Sequence, residues 1–143
     1  MNESLPGLQL FQFSCTEAES LRAEYQPVLK GTDFGHSQEL KEVISNYKGV
    51  QGIYFWVMRQ ESLEYKIYVG KTKSLSDRVL NYISEFQPHS PNDYKLRIFQ
   101  TFIVTLMPDA TLDLYFARTD PFTLTQAENE AIRKYGPTII LLN

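Results

Sequence analysis

The stretch QGIYFWVMRQESLEYKIYV, residues 51–69, decides the fold of this chain because it predicts a β-hairpin. Residues 51–58 and 65–69 are rich in aromatic and β-branched side chains, which favour the pleated conformation of a strand. The polar residues 59–64 between them are suited to a turn. Two antiparallel strands are therefore expected here.

The region after the hairpin predicts a helix and a second element whose type stays open. Gly70-Lys71-Thr72 breaks the strand pattern, and Ser74 is suited to cap a helix that runs to about Phe86. Residues 92–107 have apolar side chains at helical spacing, although residues 102–106 also fit a strand. A helix is the preferred interpretation.

The last part of the chain predicts a third strand and a further helix. Residues 112–117 have strand-like composition, and Thr125 is suited to cap a helix that runs to about Tyr135, where Gly136-Pro137 ends it. The order hairpin, helix, helix, strand, helix predicts an α+β domain over residues 50–143, with a small sheet of about three strands flanked by helices.

Residues 1–49 predict a separate extension of two helices. Thr16 to Glu19 has capping-box spacing and starts a helix that continues towards Pro27 or Lys30. Ser37 is suited to cap a second helix, which Gly49 ends. The apolar faces of these helices are expected to cover the following domain or to form a subunit interface.

Composition limits the kind of protein that this chain encodes. A net charge of −3 does not suit a protein that coats nucleic acid through bulk positive charge, although residues 51–97 hold seven basic against five acidic residues. Cys15 is the only cysteine, so neither an intramolecular disulfide nor a cysteine-based zinc site is expected. The start of the chain does not resemble a secretory signal, and its apolar runs are too short to span a bilayer. We expect a cytoplasmic protein without membrane contact.

Several residues of the hairpin and of the two helices form an ordered motif. In chain order they are Gly52-Ile53-Tyr54, Tyr68-Val69-Gly70, Lys71-Thr72, Leu75, Arg78, Tyr82 and Glu128 ahead of Pro137. This set resembles the GIY-YIG nuclease family over about residues 50–143. The resemblance implies a three-stranded antiparallel sheet that carries the two tyrosines, and hydrolysis of DNA phosphodiester bonds with one divalent ion, Mg²⁺ or Mn²⁺.

The resemblance implies that Glu128 is the metal ligand and that Arg78 binds the scissile phosphate. A carboxylate is a hard oxygen ligand of the kind that magnesium takes, and a guanidinium can donate two hydrogen bonds to a phosphate. Each residue also has a purely structural interpretation. Glu128 has capping-box spacing to Thr125, and Arg78 is suited to pair with Asp77 or Glu85 on the helix surface.

The two motif tyrosines, Tyr54 and Tyr68, are the candidates for the general base. A phenol that takes a proton from water needs a nearby cation to lower its pKa. Lys71 is expected to supply it, so the role goes to the pair, with Tyr68 preferred because Lys71 is close in sequence. Tyr82 is expected to orient water or phosphate, or to belong to the core.

The remaining predicted site residues contact DNA or support the motif. The DNA-contacting set is Gly70, Lys71, Lys73 and Arg78. Gly52 is a supporting residue of the first strand. Members of the family commonly carry an asparagine about three residues past the proline, where this chain has Ile140, so Asn143 is the only candidate for that supporting role.

The sequence therefore predicts a metal-dependent DNA endonuclease of 143 residues. The alternative is a module that has kept the fold with little or no turnover and binds nucleic acid or a protein partner. Cleavage of both DNA strands would favour a homo-oligomer, since one active site cuts one strand at a time. An inhibitory protein partner is a third possibility that the sequence leaves open.

Overall fold

The computed structural model describes residues 4–5, 8–32, 38–83, 109–120, 122–138 and 140–141. The helices in this part of the chain are α1 (Cys15–Glu24), α2 (Gln38–Ser45), α3 (Leu75–Ile83) and α4 (Leu124–Tyr135). The strands are β1 (Ser4–Leu5), β2 (Leu8–Gln9), β3 (Phe11–Gln12), β4 (Gln26–Thr32), β5 (Gly52–Gln60), β6 (Leu63–Thr72), β7 (Thr111–Arg118) and β8 (Ile140–Leu141). The helix predicted over residues 92–107 lies outside the described residues.

The predicted hairpin is confirmed. β5 and β6 pair antiparallel from Gly52 opposite Thr72 to Gln60 opposite Leu63, so the turn between them contains only two residues. Glu61 in this turn has a φ of 56°, in the left-handed region. Both strands are longer than the composition predicted. The polar residues beside the two-residue turn also pair with each other and belong to the strands.

The prediction of a small three-stranded sheet is wrong, because the main sheet has five antiparallel strands in the order β3-β6-β5-β7-β4. The three predicted strands are its centre, and β7 pairs with β5 along its whole length. The two outer strands come from the first 49 residues. A second, three-stranded sheet is formed by β1, β2 and β8.

The expected two-helix extension therefore also contributes strands. α1 ends at Glu24, and β4 begins at Gln26 and pairs with β7. Pro27 explains the change from helix to strand, since proline lacks the N–H that a helix interior requires but is tolerated on an edge strand.

Among the described residues, no helix is long and apolar enough to cross a membrane.

Helices cover both faces of the five-stranded sheet. On one face, Ile44 of α2 and Leu75 and Val79 of α3 are buried in one hydrophobic cluster with Trp56. On the opposite face, α1 and α4 bury side chains such as Leu21, Tyr25, Ala131 and Tyr135 against Phe55 and its neighbours. We call these the α3 face and the α4 face.

A β-bulge in β6 determines which residues of that strand point to the α3 face. Tyr68 lies opposite Trp56 and Lys66 lies opposite Val57, so Ile67 is an extra residue in β6. Both Ile67 and Tyr68 belong to the α3 face, together with Tyr54. The bulge therefore brings Tyr68 to the side of the sheet where α3 lies.

We expect Gly52→Ala to destabilise the protein strongly. A Cβ at Gly52 would lie 2.1 Å from the backbone oxygen of Ala117 and 2.8 Å from Cζ of Phe116. The backbone of the neighbouring strand cannot move away without breaking the ladder, so a loss of about 3 kcal/mol is expected, which lowers the melting temperature by roughly 10 °C.

The matched control for Gly52→Ala is Gly49→Asn. Gly49 has a φ of 70°, but nothing lies within 4 Å of a Cβ built there. Asparagine tolerates the left-handed region, so a loss below about 1 kcal/mol is expected. Thermal unfolding of both variants measures the difference, and equal melting temperatures would contradict the steric argument.

Candidate active site

Tyr54 lies at the start of β5, and its ring packs on the backbone of the neighbouring strand. It is paired with Gly70 of β6, and only 1% of its surface is exposed. A Cβ at Gly70 would lie 2.6 Å from Tyr54 Oη and 2.7 Å from Cζ. The glycine is required because the phenol occupies the place of a side chain at position 70.

Arg78 and Tyr68 lie next to Tyr54 on the α3 face. Arg78 extends from α3, and its Nε donates a hydrogen bond of 3.0 Å to Tyr54 Oη. The ring centroids of Tyr54 and Tyr68 are 5.9 Å apart. The two motif tyrosines and the motif arginine therefore form one cluster.

The environment of Tyr68 keeps its phenol protonated. Burial raises the pKa of Tyr68 above its ordinary value, and the neighbouring Tyr54 adds to the rise. The Arg78 guanidinium acts in the opposite direction but does not outweigh burial. In this environment Tyr68 is a neutral phenol that is suited to donate a hydrogen bond, which does not favour the expected role as base.

Lys71 lies on the other side of β6 from Tyr68. Its Nζ donates a 3.0 Å hydrogen bond to Thr125 Oγ1 and lies 4.0 Å from Glu128 Oε1. Residues three apart on a strand point to opposite faces, so Lys71 turns towards α4 while Tyr68 turns towards α3. The expectation that Lys71 supplies the cation for Tyr68 is therefore not supported, and Arg78 is the cation at the tyrosines.

Glu128 extends from α4 and is not part of a helix cap. The helix begins at Leu124 with Thr123 as N-cap, and the Thr123 side chain makes no capping hydrogen bond. The prediction that Thr125 caps this helix is therefore wrong. The Glu128 side chain is 21% exposed and lies close enough to Tyr68 for its charge to raise the pKa of that phenol.

The site thus lies around the edge of β6, with α3 on one side and α4 on the other. The sequence did not indicate Thr125 as a site residue, although its position three residues before Glu128 on the same helix was a signal.

Lys73 is exposed beside this edge. Asp77 pairs with Lys48 at 2.5 Å. The side chain of Tyr82, which lies in α3, and the whole of Asn143 are outside the described residues.

The residues at the site fit a magnesium ion better than a zinc ion. In the part of the chain that the structure describes, no group of three or more His, Cys, Asp or Glu residues could hold a metal. Magnesium commonly takes one or two protein carboxylates and keeps several waters, or binds substrate phosphate oxygens. Among the described residues of the site, the Glu128 carboxylate, which is partly exposed, agrees with that preference.

Comparison of the chain with known protein families, with curated proteins and with solved structures gives no match. The interpretation of the site therefore depends on the residues of this chain and on their arrangement.

Proposed function

We propose that the protein is a divalent-metal-dependent endonuclease that hydrolyses DNA phosphodiester bonds. The observation that carries the proposal is the convergence of five predicted site residues from β5, β6, α3 and α4 on one edge of the sheet. They are Tyr54, Tyr68, Lys71, Arg78 and Glu128. The resemblance to the GIY-YIG family implied that these residues share one site.

Arg78 and Lys71 are the groups that would bind the phosphate. The guanidinium of Arg78 donates a hydrogen bond from Nε to Tyr54, and an arginine has several N–H donors of the kind that bind phosphate oxygens. Lys71 is 41% exposed and adds a second positive charge on the α4 side. A phosphodiester between them would have its negative charge neutralised from two directions.

We assign proton abstraction from the attacking water to Tyr54 and a hydrogen-bond donor role to Tyr68. Tyr54 Oη accepts the N–H of a cation, which orients the oxygen and places positive charge beside it. Tyr68 stays protonated because burial raises its pKa. Its O–H is therefore available to a phosphate oxygen or to the leaving oxygen.

Glu128 would hold the divalent ion, magnesium or manganese, with a carboxylate oxygen. When bound, such an ion supplies positive charge for the phosphate and lowers the pKa of a bound water. Because no helix cap uses Glu128, its carboxylate is available for this role. The Lys71 ammonium lies 4.0 Å from this carboxylate.

We expect purified protein to convert supercoiled plasmid to nicked or linear DNA only when magnesium or manganese is present. The reason is that Glu128 is the carboxylate at the site, and none of the protein cations replaces the water activation that a metal gives. Gel analysis with and without excess chelator, at low and moderate salt, measures this. Undiminished cutting in chelator would contradict metal dependence. A protein that binds DNA or RNA but cuts neither would be a binding module.

A further inference from the structure

Phe122 is the most exposed large apolar side chain among the residues that the structure describes. It lies in the short segment between β7 and α4, and 95% of its surface is exposed, against 47% for Ile132 and 42% for Val43. A ring that stays in water adds nothing to the hydrophobic stabilisation of the fold. Packing within the protein therefore gives no reason for a phenylalanine at this position, whereas a bound molecule that covers the ring does.

Hydrogen bonds hold the backbone on both sides of Phe122. Thr119 N–H donates to the backbone oxygen of Gln51 at 3.2 Å, which ties the end of β7 to the chain just before β5. The Phe122 N–H donates a 2.8 Å hydrogen bond to Asp120 Oδ1. The Thr123 N–H donates to the backbone oxygen of Asp120 at 3.2 Å. The ring is therefore presented to solvent from a hydrogen-bonded turn.

Phe122 lies close to the α4 side of the candidate active site. It is three residues from Thr125, whose Oγ1 accepts the 3.0 Å hydrogen bond from Lys71. Three residues span at most about 10 Å, which is about three nucleotides along a duplex strand. Glu128, the proposed metal ligand, follows on the same helix one turn after Thr125. A nucleic acid strand that is bound at Lys71 can therefore pass Phe122 within a few nucleotides.

Three exposed cations lie at the same end of the main sheet. Arg118 is paired with Gly52, whose other partner is Thr72, so these three residues form one row across the sheet. Lys71 and Lys73 flank Thr72 in sequence, and the side chains of both lysines and of Arg118 are exposed. Proteins that bind nucleic acid strands combine such positive charge with aromatic rings on which bases stack. The charge near Phe122 therefore favours nucleic acid over an apolar protein surface as the partner that covers the ring.

We propose that Phe122 stacks on a nucleobase of the bound strand, a few nucleotides from the scissile phosphate. This inference rests on the proposed nuclease function. Every base has an apolar face, so stacking adds affinity without reading the sequence. Inside a continuous duplex both faces of a base are covered by its neighbours, and opening such a step costs free energy. The favoured substrate therefore has an open base face, as a single strand, an overhang or a nicked duplex does.

The first test measures binding of a fluorescein-labelled DNA single strand in chelator, where metal-dependent cleavage does not occur. Phe122→Ala is expected to weaken binding about tenfold, since removal of an aromatic ring that stacks on a base commonly costs that much. Phe122→Trp keeps a stacking surface and should bind like the parent. The matched control is Val43→Ala, which shortens an exposed apolar side chain of α2 and should also bind like the parent. All three variants should keep the parental melting temperature, because they change exposed side chains.

The second test separates stacking from charge. Lys73→Gln should reduce the salt dependence of binding, because a cation that contacts a phosphate is lost. Phe122→Ala should weaken binding and leave the salt dependence unchanged, since the ring neutralises no phosphate. In Phe122→Trp the indole emission should be quenched when the strand binds. The native Trp56 is buried, so the parent protein supplies the background emission for this comparison.

The outcomes decide the stacking proposal and the nuclease proposal separately. Binding by Phe122→Ala within about twofold of the parent overturns the stacking proposal. Emission of Phe122→Trp that does not change on binding overturns it as well, and so does a parent protein that binds no single strand. Cleavage in magnesium judges the nuclease proposal. A parent that shows the expected losses and quenching but cuts no substrate keeps the stacking site and is not a nuclease.

Discussion

Replacement of Glu128 by glutamine is expected to abolish cleavage while DNA binding persists or becomes tighter. The substitution keeps the shape of the side chain but removes the charge that would hold the divalent ion. Loss of a metal ligand should cost several kcal/mol of transition-state stabilisation, and about 4 kcal/mol corresponds to roughly a thousandfold in rate. The cations Lys71 and Arg78 remain, so affinity for the phosphate backbone is retained. Cleavage rate and DNA affinity, measured on the same preparation, test this expectation.

Two variants serve as comparisons for Glu128→Gln. Glu130→Gln removes the same charge from the same helix, at a carboxylate that accepts a hydrogen bond from Gln126 at 3.2 Å, and should cut at the parental rate. Arg78→Ala should weaken both binding and cleavage, because it removes the proposed phosphate contact and the hydrogen bond to Tyr54. A folded Glu128→Gln protein that cuts within about threefold of the parent would refute the assignment of Glu128.

The substitution Gly70→Ala is expected to reduce cleavage by about a hundredfold with a moderate loss of stability. The new Cβ would lie 2.6 Å from Tyr54 Oη, so the phenol must shift by nearly 1 Å and lose its hydrogen-bond geometry to Arg78. A displacement of that size in a reacting group commonly costs about two orders of magnitude in rate. The stability cost should be about 1–3 kcal/mol, because a side chain rather than a backbone has to move.

A double-mutant cycle with Tyr54→Phe shows whether Gly70→Ala acts through the tyrosine. If it does, adding Gly70→Ala to Tyr54→Phe should cost little further activity, since the displaced hydroxyl is already absent. Independent effects that multiply would place the role of Gly70 elsewhere, for example in direct contact with DNA. Melting temperatures of all three variants separate loss of activity from loss of fold.

The centre of the main sheet could be predicted from the sequence, but its edges could not. β5 and β7 are buried along most of their length and β6 along half of it, so their central residues form apolar and aromatic runs. β3 has only two residues and leaves no periodic signal. β4 follows a helix directly and contains Pro27, which indicated only where the helix must end. Both edge strands form by pairing with residues that are far away in sequence. A local sequence pattern carries no information about such pairing.

For the candidate site, the sequence named residues that lie close together in the structure, but it did not indicate which of them pair. The motif order named Tyr54, Tyr68, Arg78 and Glu128, and these residues do come together. Nearness in sequence suggested a contact between Lys71 and Tyr68, but an odd separation on a strand places the two on opposite faces. Only the packing of α4 against β6 shows that Lys71 meets Thr125.

The extra residue in β6 has a consequence for the alignment of this chain with distant relatives. Ile67 is unpaired in the ladder, so a related protein that lacks it would have a straight strand and still place its second tyrosine opposite the residue equivalent to Trp56. A related sequence that lacks one residue between Lys66 and Tyr68 would therefore keep its second tyrosine in the same place in the site. A missing residue between Tyr68 and Gly70 would turn one of them to the other face. A relative without the extra residue would therefore align only with a gap before its second tyrosine, and a gap inside the Tyr68–Gly70 tripeptide would separate residues that meet in this structure.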